Sequence, residues 1–125
     1  MQLIGLTETV TDKQLYLYRI EPTRPEMLTE GPTDEENAVM EVHYAHLKAN
    51  VEAGRIFLAG PSFRPDGSGY GITVFEAADL DDAEAFAASD PAVQAGVVRA
   101  EVLQFRLSLL GDIDERHPVT DLRSS

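Results

Sequence analysis

Apolar and polar positions alternate along this chain with two different periods, and the changes of period mark out its elements. The stretch "QLYLYRI" (residues 14–20) is dense in Tyr, Leu and Ile and predicts a strand. The prolines and glycine of "EPTRPEMLTEGP" predict a loop after it. "TDEE" then reads as a capping box, with Thr33 as N-cap and Glu36 reaching back to the N-cap backbone. The helix it opens is expected to run to about Ala53, where Gly54 supplies the left-handed residue that ends it. "RIFLAG" and "GITVFEA" are short β-prone runs joined by "PSFRPDGSGY", a connection longer than a tight hairpin with a turn at Pro65-Asp66-Gly67. A second helix is predicted in "DLDDAEAFAAS", capped by Asp79, with Leu80, Ala83, Phe86 and Ala87 on one face. A last strand is predicted in "AEVLQFRLSLL", where Leu103, Phe105, Leu107 and Leu109 alternate with polar residues.

The order is β-α-β-β-α-β, which predicts an α+β, ferredoxin-like sandwich: an antiparallel sheet with both helices on one face. A sheet face open to water should be polar at alternate strand positions. The first strand instead places Leu15 and Leu17 on one side and Tyr16, Tyr18 and Ile20 on the other, and the second sets Ile56 and Leu58 against Phe57 and Ala59. Both faces therefore call for cover. The simplest cover for the helix-free face is a second copy, so a homodimer through that face is expected.

Composition narrows the class. At 125 residues the chain is expected to form a single domain spanning residues 1–125, with a core over about 14–110 and a polar tail over 111–125. The pattern does not decide whether residues 1–13 form an extra edge strand or a dimer arm. The chain has no cysteine, which excludes disulfides, thiolate metal sites and cysteine nucleophiles and suits a reducing cytoplasm. The first residues lack the pattern of a signal peptide, and no apolar run reaches the roughly 18–20 residues of a membrane span. A net charge of −12 disfavours phosphate-backbone binding. A cytoplasmic protein with no membrane or nucleic-acid partner is expected.

The chemistry concentrates in "HYAHLKANVEAGRIFLAGP", which sets His43 and His46 one helical turn apart. At about 100° per residue, Met40, Tyr44, Leu47 and Val51 form the stripe expected to face the sheet, and His43, Val39, His46 and Asn50 lie on a flank roughly 90° away. Flank histidines are compatible with partly buried polar residues, a metal pair or an acid–base group. The metal alternative is weak, because the pair brings no further nearby ligand and His117 lies in the tail. No Gly-x-Ser-x-Gly elbow marks a nucleophilic serine. Further along, "SDPAVQAG" makes Asp90 the N-cap of a short turn that begins at Pro91 and ends at Gly96. A cap carboxylate has a second oxygen with which to orient an imidazole.

Taken together, "HYAHLKANVEAGRIFLAGP" and "VFEAADLDDAEAFAASDPAVQAGV" resemble the YCII-related family of small bacterial proteins. The matching positions are His43, Gly54, Ala59-Gly60-Pro61, Phe75, Ala83, Asp90-Pro91 and Ala95-Gly96. The resemblance implies a ferredoxin-like fold of the dimeric α/β-barrel group and a cleft holding a His–Asp pair, with His43 as the family histidine and Asp90 as its aspartate. Met40, Tyr44 and Ala92 stand where many members carry Arg, Leu and an aromatic residue, so no substrate transfers with the resemblance. Two functions remain. One is a cofactor-free lyase or isomerase for a small molecule, in which His43 moves a proton, Asp90 holds its ring, and Ser62, Arg64 and His46 touch the substrate. The other is a non-catalytic dimeric module that binds a small ligand or a protein. Neither requires a metal or a cofactor.

Overall fold

The structure, a computed structural model, describes residues 11–111 and 113. Four strands form one sheet: β1 (Leu15–Pro22), β2 (Ile56–Phe63), β3 (Gly69–Glu76) and β4 (Val98–Phe105), in the order β2-β3-β1-β4. Each neighbouring pair is antiparallel. The long helix α2 (Asp34–Glu52) connects β1 to β2, and α3 (Leu80–Ala88) leads from β3 towards β4. Two one-turn helices, α1 (Glu26–Thr29) and α4 (Pro91–Gln94), lie in the connections. This is the ferredoxin-like arrangement. The roles sought for residues 1–10 and for the tail, His117 included, lie outside the described residues.

The helix boundaries follow from local chemistry. Thr33 Oγ1 accepts the Glu36 N–H and the Glu36 carboxylate accepts the Thr33 N–H, so two of the four N–H groups a helix start leaves unpaired are satisfied. Gly54, at φ 84°, takes the left-handed conformation that ends α2 at no side-chain cost. Arg24 closes the box from outside, its Nη2 and Nε donating to Glu36 at 2.6 and 2.9 Å. These bonds, from Arg24 first and then from the Thr33 backbone, pull the Glu36 carboxyl down to about 2. Because its folded value is depressed, Glu36 stabilises the fold above the ordinary carboxyl range near about 4.3, and this is lost as pH falls towards about 2. Glu36→Gln is therefore expected to lower the melting temperature at pH 7, with the gap to wild type closing between about pH 4.3 and 2 in melts recorded across that window.

Tyr16, Tyr18 and Ile20 of β1, with Phe75 of β3 and Ile56 of β2, form the helix side of the sheet. Ala83, Phe86 and Ala87 of α3 and Ala92 of α4 pack onto it. Phe75 is the hub, with ring centroids 4.7 Å from Phe86 and 5.5 Å from Tyr18. Leu80, expected on the inner face of α3, is half-exposed at the first turn of the helix.

The strands correct the expected pattern in three places. Register slips between Ile56 and Leu58, so Phe57 forms a bulge. Ile56 pairs with Phe75 and is buried, whereas Leu58 pairs with Val74 on the opposite face and is 49% exposed. A bulge adds one residue and inverts all later alternation, so Ile56 and Leu58 do not share a side. Next, the long connection expected between β2 and β3 shrinks to residues 64–68. The strands extend through Phe63 and from Gly69, and Asp66 Oδ1 accepts the Ser68 N–H to shape the turn. Pro61 is tolerated because β2 is an edge strand. Finally, β4 begins at Val98 and ends at Phe105, so Leu107 and Leu109 lie beyond it. Its inward residues are Val98, Ala100 and Val102, and Leu103 pairs with Leu17 on the helix-free face. On that face Leu15 and Val74 of the central strands are buried, while Leu58 and Leu103 of the edge strands are about half-exposed.

Candidate active site

The site is assembled from the sheet, the long helix and the one-turn helix. Asp90 caps α4 through Oδ1, which accepts the Ala92 N–H at 2.9 Å. Pro91 at the first helical position gives up an N–H that would have had no partner there, and Gly96 (φ 73°) releases the chain into β4. The cap thus fixes the carboxylate by its own local sequence before any distant group is involved.

His43 Nδ1 lies 2.7 Å from Asp90 Oδ1. Asp90 is fully buried, and the His43 side chain is 9% exposed. A carboxylate accepts only, so the imidazole donates from Nδ1–H, and Nε2 is left as the nitrogen through which the ring can exchange a proton. His43 is the one described α2 residue that is buried, which corrects the expectation of a flank position. Val39, Met40, Leu47 and Val51 pack against the core, and this set is rotated by roughly 30° towards His43 from the stripe expected. The reason lies outside α2. The helix packs on α4 as well as on β2, and a polar residue is accommodated in that seam because Asp90 meets it.

A third side chain completes the arrangement, one not anticipated from sequence. Tyr18, fully buried on β1, donates its hydroxyl to Asp90 Oδ2 at 2.7 Å. Asp90 thereby receives three donors, from a strand, a long helix and its own turn. Burial acts to push the Asp90 carboxyl up, but the His43 hydrogen bond and charge, the Tyr18 hydroxyl and the Ala92 N–H outweigh it and hold it below its ordinary value. The Tyr18 hydroxyl moves the other way. Burial, then the negative charge of Asp90 and the bond to it, raise it well above its ordinary value, against a smaller opposing influence of the Thr73 side chain. Strand parity had grouped Tyr18 with Tyr16 and Ile20 on one side of the sheet. A tyrosine hydroxyl directed into a core needs a partner, and that was the available signal.

The other sequence candidates are placed differently. His46 lies with its ring 6.0 Å from Phe86, and its buried Nε2 has no hydrogen-bond partner among the described residues. Ser62 Oγ donates to the Tyr70 carbonyl at 2.7 Å, and Arg64 Nη1 to Ser68 Oγ at 3.4 Å, so both make their contacts within the exposed β2–β3 hairpin. Among the described residues no group of three or more His, Cys, Asp or Glu is placed to hold a metal ion. No described helix is long and apolar enough to cross a membrane.

The same fold occurs in the 5-chloro-2-hydroxyhydroquinone dehydrochlorinase of Burkholderia phenoliruptrix AC1100, solved in complex with 2,5-dihydroxybenzoquinone. The two share a TM-score of 0.51 and 22% sequence identity over 74% of this chain and 93% of that one, a likeness of fold alone. No curated protein sequence matches the chain. Residues 15–106 match the YCII-related domain, and the chain is thereby a member of the YCII-related family.

Proposed function

We propose that this protein is a cofactor-free enzyme that moves a proton on a small molecule, in the manner of a lyase or isomerase, with His43 Nε2 as the general base. The observation that carries this is the 2.7 Å contact between His43 Nδ1 and a fully buried, ionised Asp90. It fixes the ring, assigns the donor nitrogen and stabilises the imidazolium formed when Nε2 takes a proton. The fold shared with a dehydrochlorinase supports the lyase class, because loss of HCl begins or ends with a proton to be removed. Hydroxylated, chlorinated rings are accordingly the first compounds to try. Chloride release from 5-chloro-2-hydroxyhydroquinone by the wild type and by His43→Ala tests the reading, and equal rates in the two would overturn it. Ser62, Arg64 and His46 stay candidates for substrate contact within this proposal.

One observation favours the alternative, a non-catalytic binding module. The His43 side chain is only 9% exposed, and the surface grooves around Glu84 and Val102 and around Gln14 and Arg55 do not include it. Binding of 2,5-dihydroxybenzoquinone without any turnover of the chlorinated probe would favour the module.

We also propose that a second copy covers the helix-free sheet face in the cytoplasm of the cell. Leu58 and Leu103 are 49% and 48% exposed there, beside Leu17 and Ile72. An apolar patch on a sheet of this kind is stabilised by burial against its own kind. Sedimentation velocity is expected to give twice the chain mass for the wild type and a monomer for Leu103→Asp, which would place a charge within that interface. A wild-type monomer at all concentrations would rule the arrangement out.

A further inference from the structure

The hydrogen bonds at Asp90 do not stop at the histidine, and they have a direction. On β1, Tyr18 is paired across the sheet with Thr73 of β3. Its hydroxyl is bonded to Asp90 Oδ2 at 2.7 Å, while Oδ1 serves both His43 Nδ1 and the Ala92 N–H. Tyr18, Thr73 and Asp90 are all buried, with exposures of 0%, 3% and 0%. A hydroxyl bonded to an ionised carboxylate has one consistent assignment: Tyr18 donates to Asp90 Oδ2. Asp90 must then accept on both oxygens, and His43 must donate from Nδ1.

We propose that Tyr18 is a positioning residue of this site: by donating to Oδ2 it holds Asp90 as an ionised acceptor in a single orientation, so that the proton His43 handles stays on the imidazole. The proposal rests on the proton-transfer reading but makes a separate claim, about the state of the dyad in the free protein. Without a donor at Oδ2, a fully buried carboxylate keeps unpaired lone pairs, and its negative charge is shared less widely. Such a carboxylate binds protons more readily and draws the Nδ1 proton closer. When His43 then takes a second proton at Nε2, the Nδ1 proton can pass to Asp90, and the ring loses the ion pair that stabilises it. Tyr18 is suited to prevent this because its hydroxyl is removed from water and therefore remains a donor. Three groups bond Asp90, each from a different element: Tyr18 from β1, His43 from α2 and the Ala92 N–H from α4.

The test compares Tyr18→Phe with Tyr16→Phe, which removes a hydroxyl from the same buried strand without touching Asp90. Two NMR signals are followed in the ligand-free protein: the Asp90 carboxyl carbon as a function of pH, and the His43 Nδ1–H proton. In Tyr18→Phe the Asp90 titration is expected to move to higher pH and the Nδ1–H resonance to move downfield, while Tyr16→Phe leaves both in place. A folded Tyr18→Phe in which both signals stay at their wild-type positions overturns the proposal, even if the variant melts earlier, because the hydroxyl would then be structural only. Equal movement of both signals in Tyr16→Phe overturns it as well. Movement confined to Tyr18→Phe supports it even if no chlorinated hydroquinone is turned over; that outcome counts against the enzymatic reading and leaves the positioning role standing.

Discussion

His43→Ala is expected to slow release of chloride from the chlorinated hydroxyhydroquinone about 10²- to 10⁴-fold, the range that a positioned general base contributes. The size of the loss distinguishes the base from a residue that merely lines a cleft. A lining residue exchanged for alanine changes substrate affinity, and its effect declines at saturating substrate. Loss of the base lowers the rate at every substrate concentration. The variant should still fold, since Asp90 keeps the Tyr18 hydroxyl and the Ala92 N–H as partners. His46→Ala supplies the comparison within the same helix. Its ring lies against Phe86, 6.0 Å between centroids, and as a candidate substrate contact its loss should decline at saturating substrate, which that of His43→Ala should not. Near-equal losses in the two variants would argue against the assignment of His43.

Asp90→Ala should have the larger effect on stability, about 3–7 kcal/mol, the sum of a lost N-cap at about 1 kcal/mol and two buried donors left without an acceptor at about 1–3 kcal/mol each. Three donors lose their acceptor at once: the Tyr18 hydroxyl, His43 Nδ1–H and the Ala92 N–H. Of these the cap alone is worth about 1 kcal/mol, so most of the loss would come from the two buried side chains. Chemical denaturation of the two proteins measures it. A loss no larger than that of an ordinary N-cap would mean that the buried side-chain bonds contribute little. Asp90→Asn separates the parts, because its amide oxygen can still serve the cap and His43 while its NH2 meets the Tyr18 hydroxyl, which must switch from donor to acceptor, and the negative charge is gone. It is expected to fall between wild type and alanine in stability and to resemble alanine in turnover.

The chain announces parts of this site and conceals others, for physical reasons. Caps are local, so Thr33 with Glu36, Asp79, and Asp90 followed by Pro91 could be read directly and stand where expected. The topology followed from the order of periods. The bulge at Phe57 could not be read, because it exists only in the pairing of β2 with β3 and leaves no mark in either strand by itself. The burial of His43 was missed for a related reason. A helical projection ranks faces by their own apolarity, whereas the face chosen by α2 depends on a carboxylate 47 residues away. Tyr18 was hidden more deeply still. It sits among apolar neighbours in β1 and is consistent with simple core packing until its hydroxyl is seen against Asp90, 72 residues further on.

The bulge at Phe57 has a consequence for how copies of this protein can stick together. An edge strand with an uninterrupted row of N–H and C=O groups invites any other extended chain to continue the sheet, the route to fibrous aggregates. β2 carries Phe57 and Phe63, both large and exposed, and would be a hazard of that kind. The extra residue at Phe57 breaks the ladder near one end, and Pro61 withholds an N–H near the other. A stray strand arriving at this border would therefore find only a few consecutive rungs between Leu58 and Gly60. The same irregularity that turns Leu58 onto the helix-free face thus hinders open-ended growth along the edge and adds an apolar side chain to the face through which the proposed pair would form.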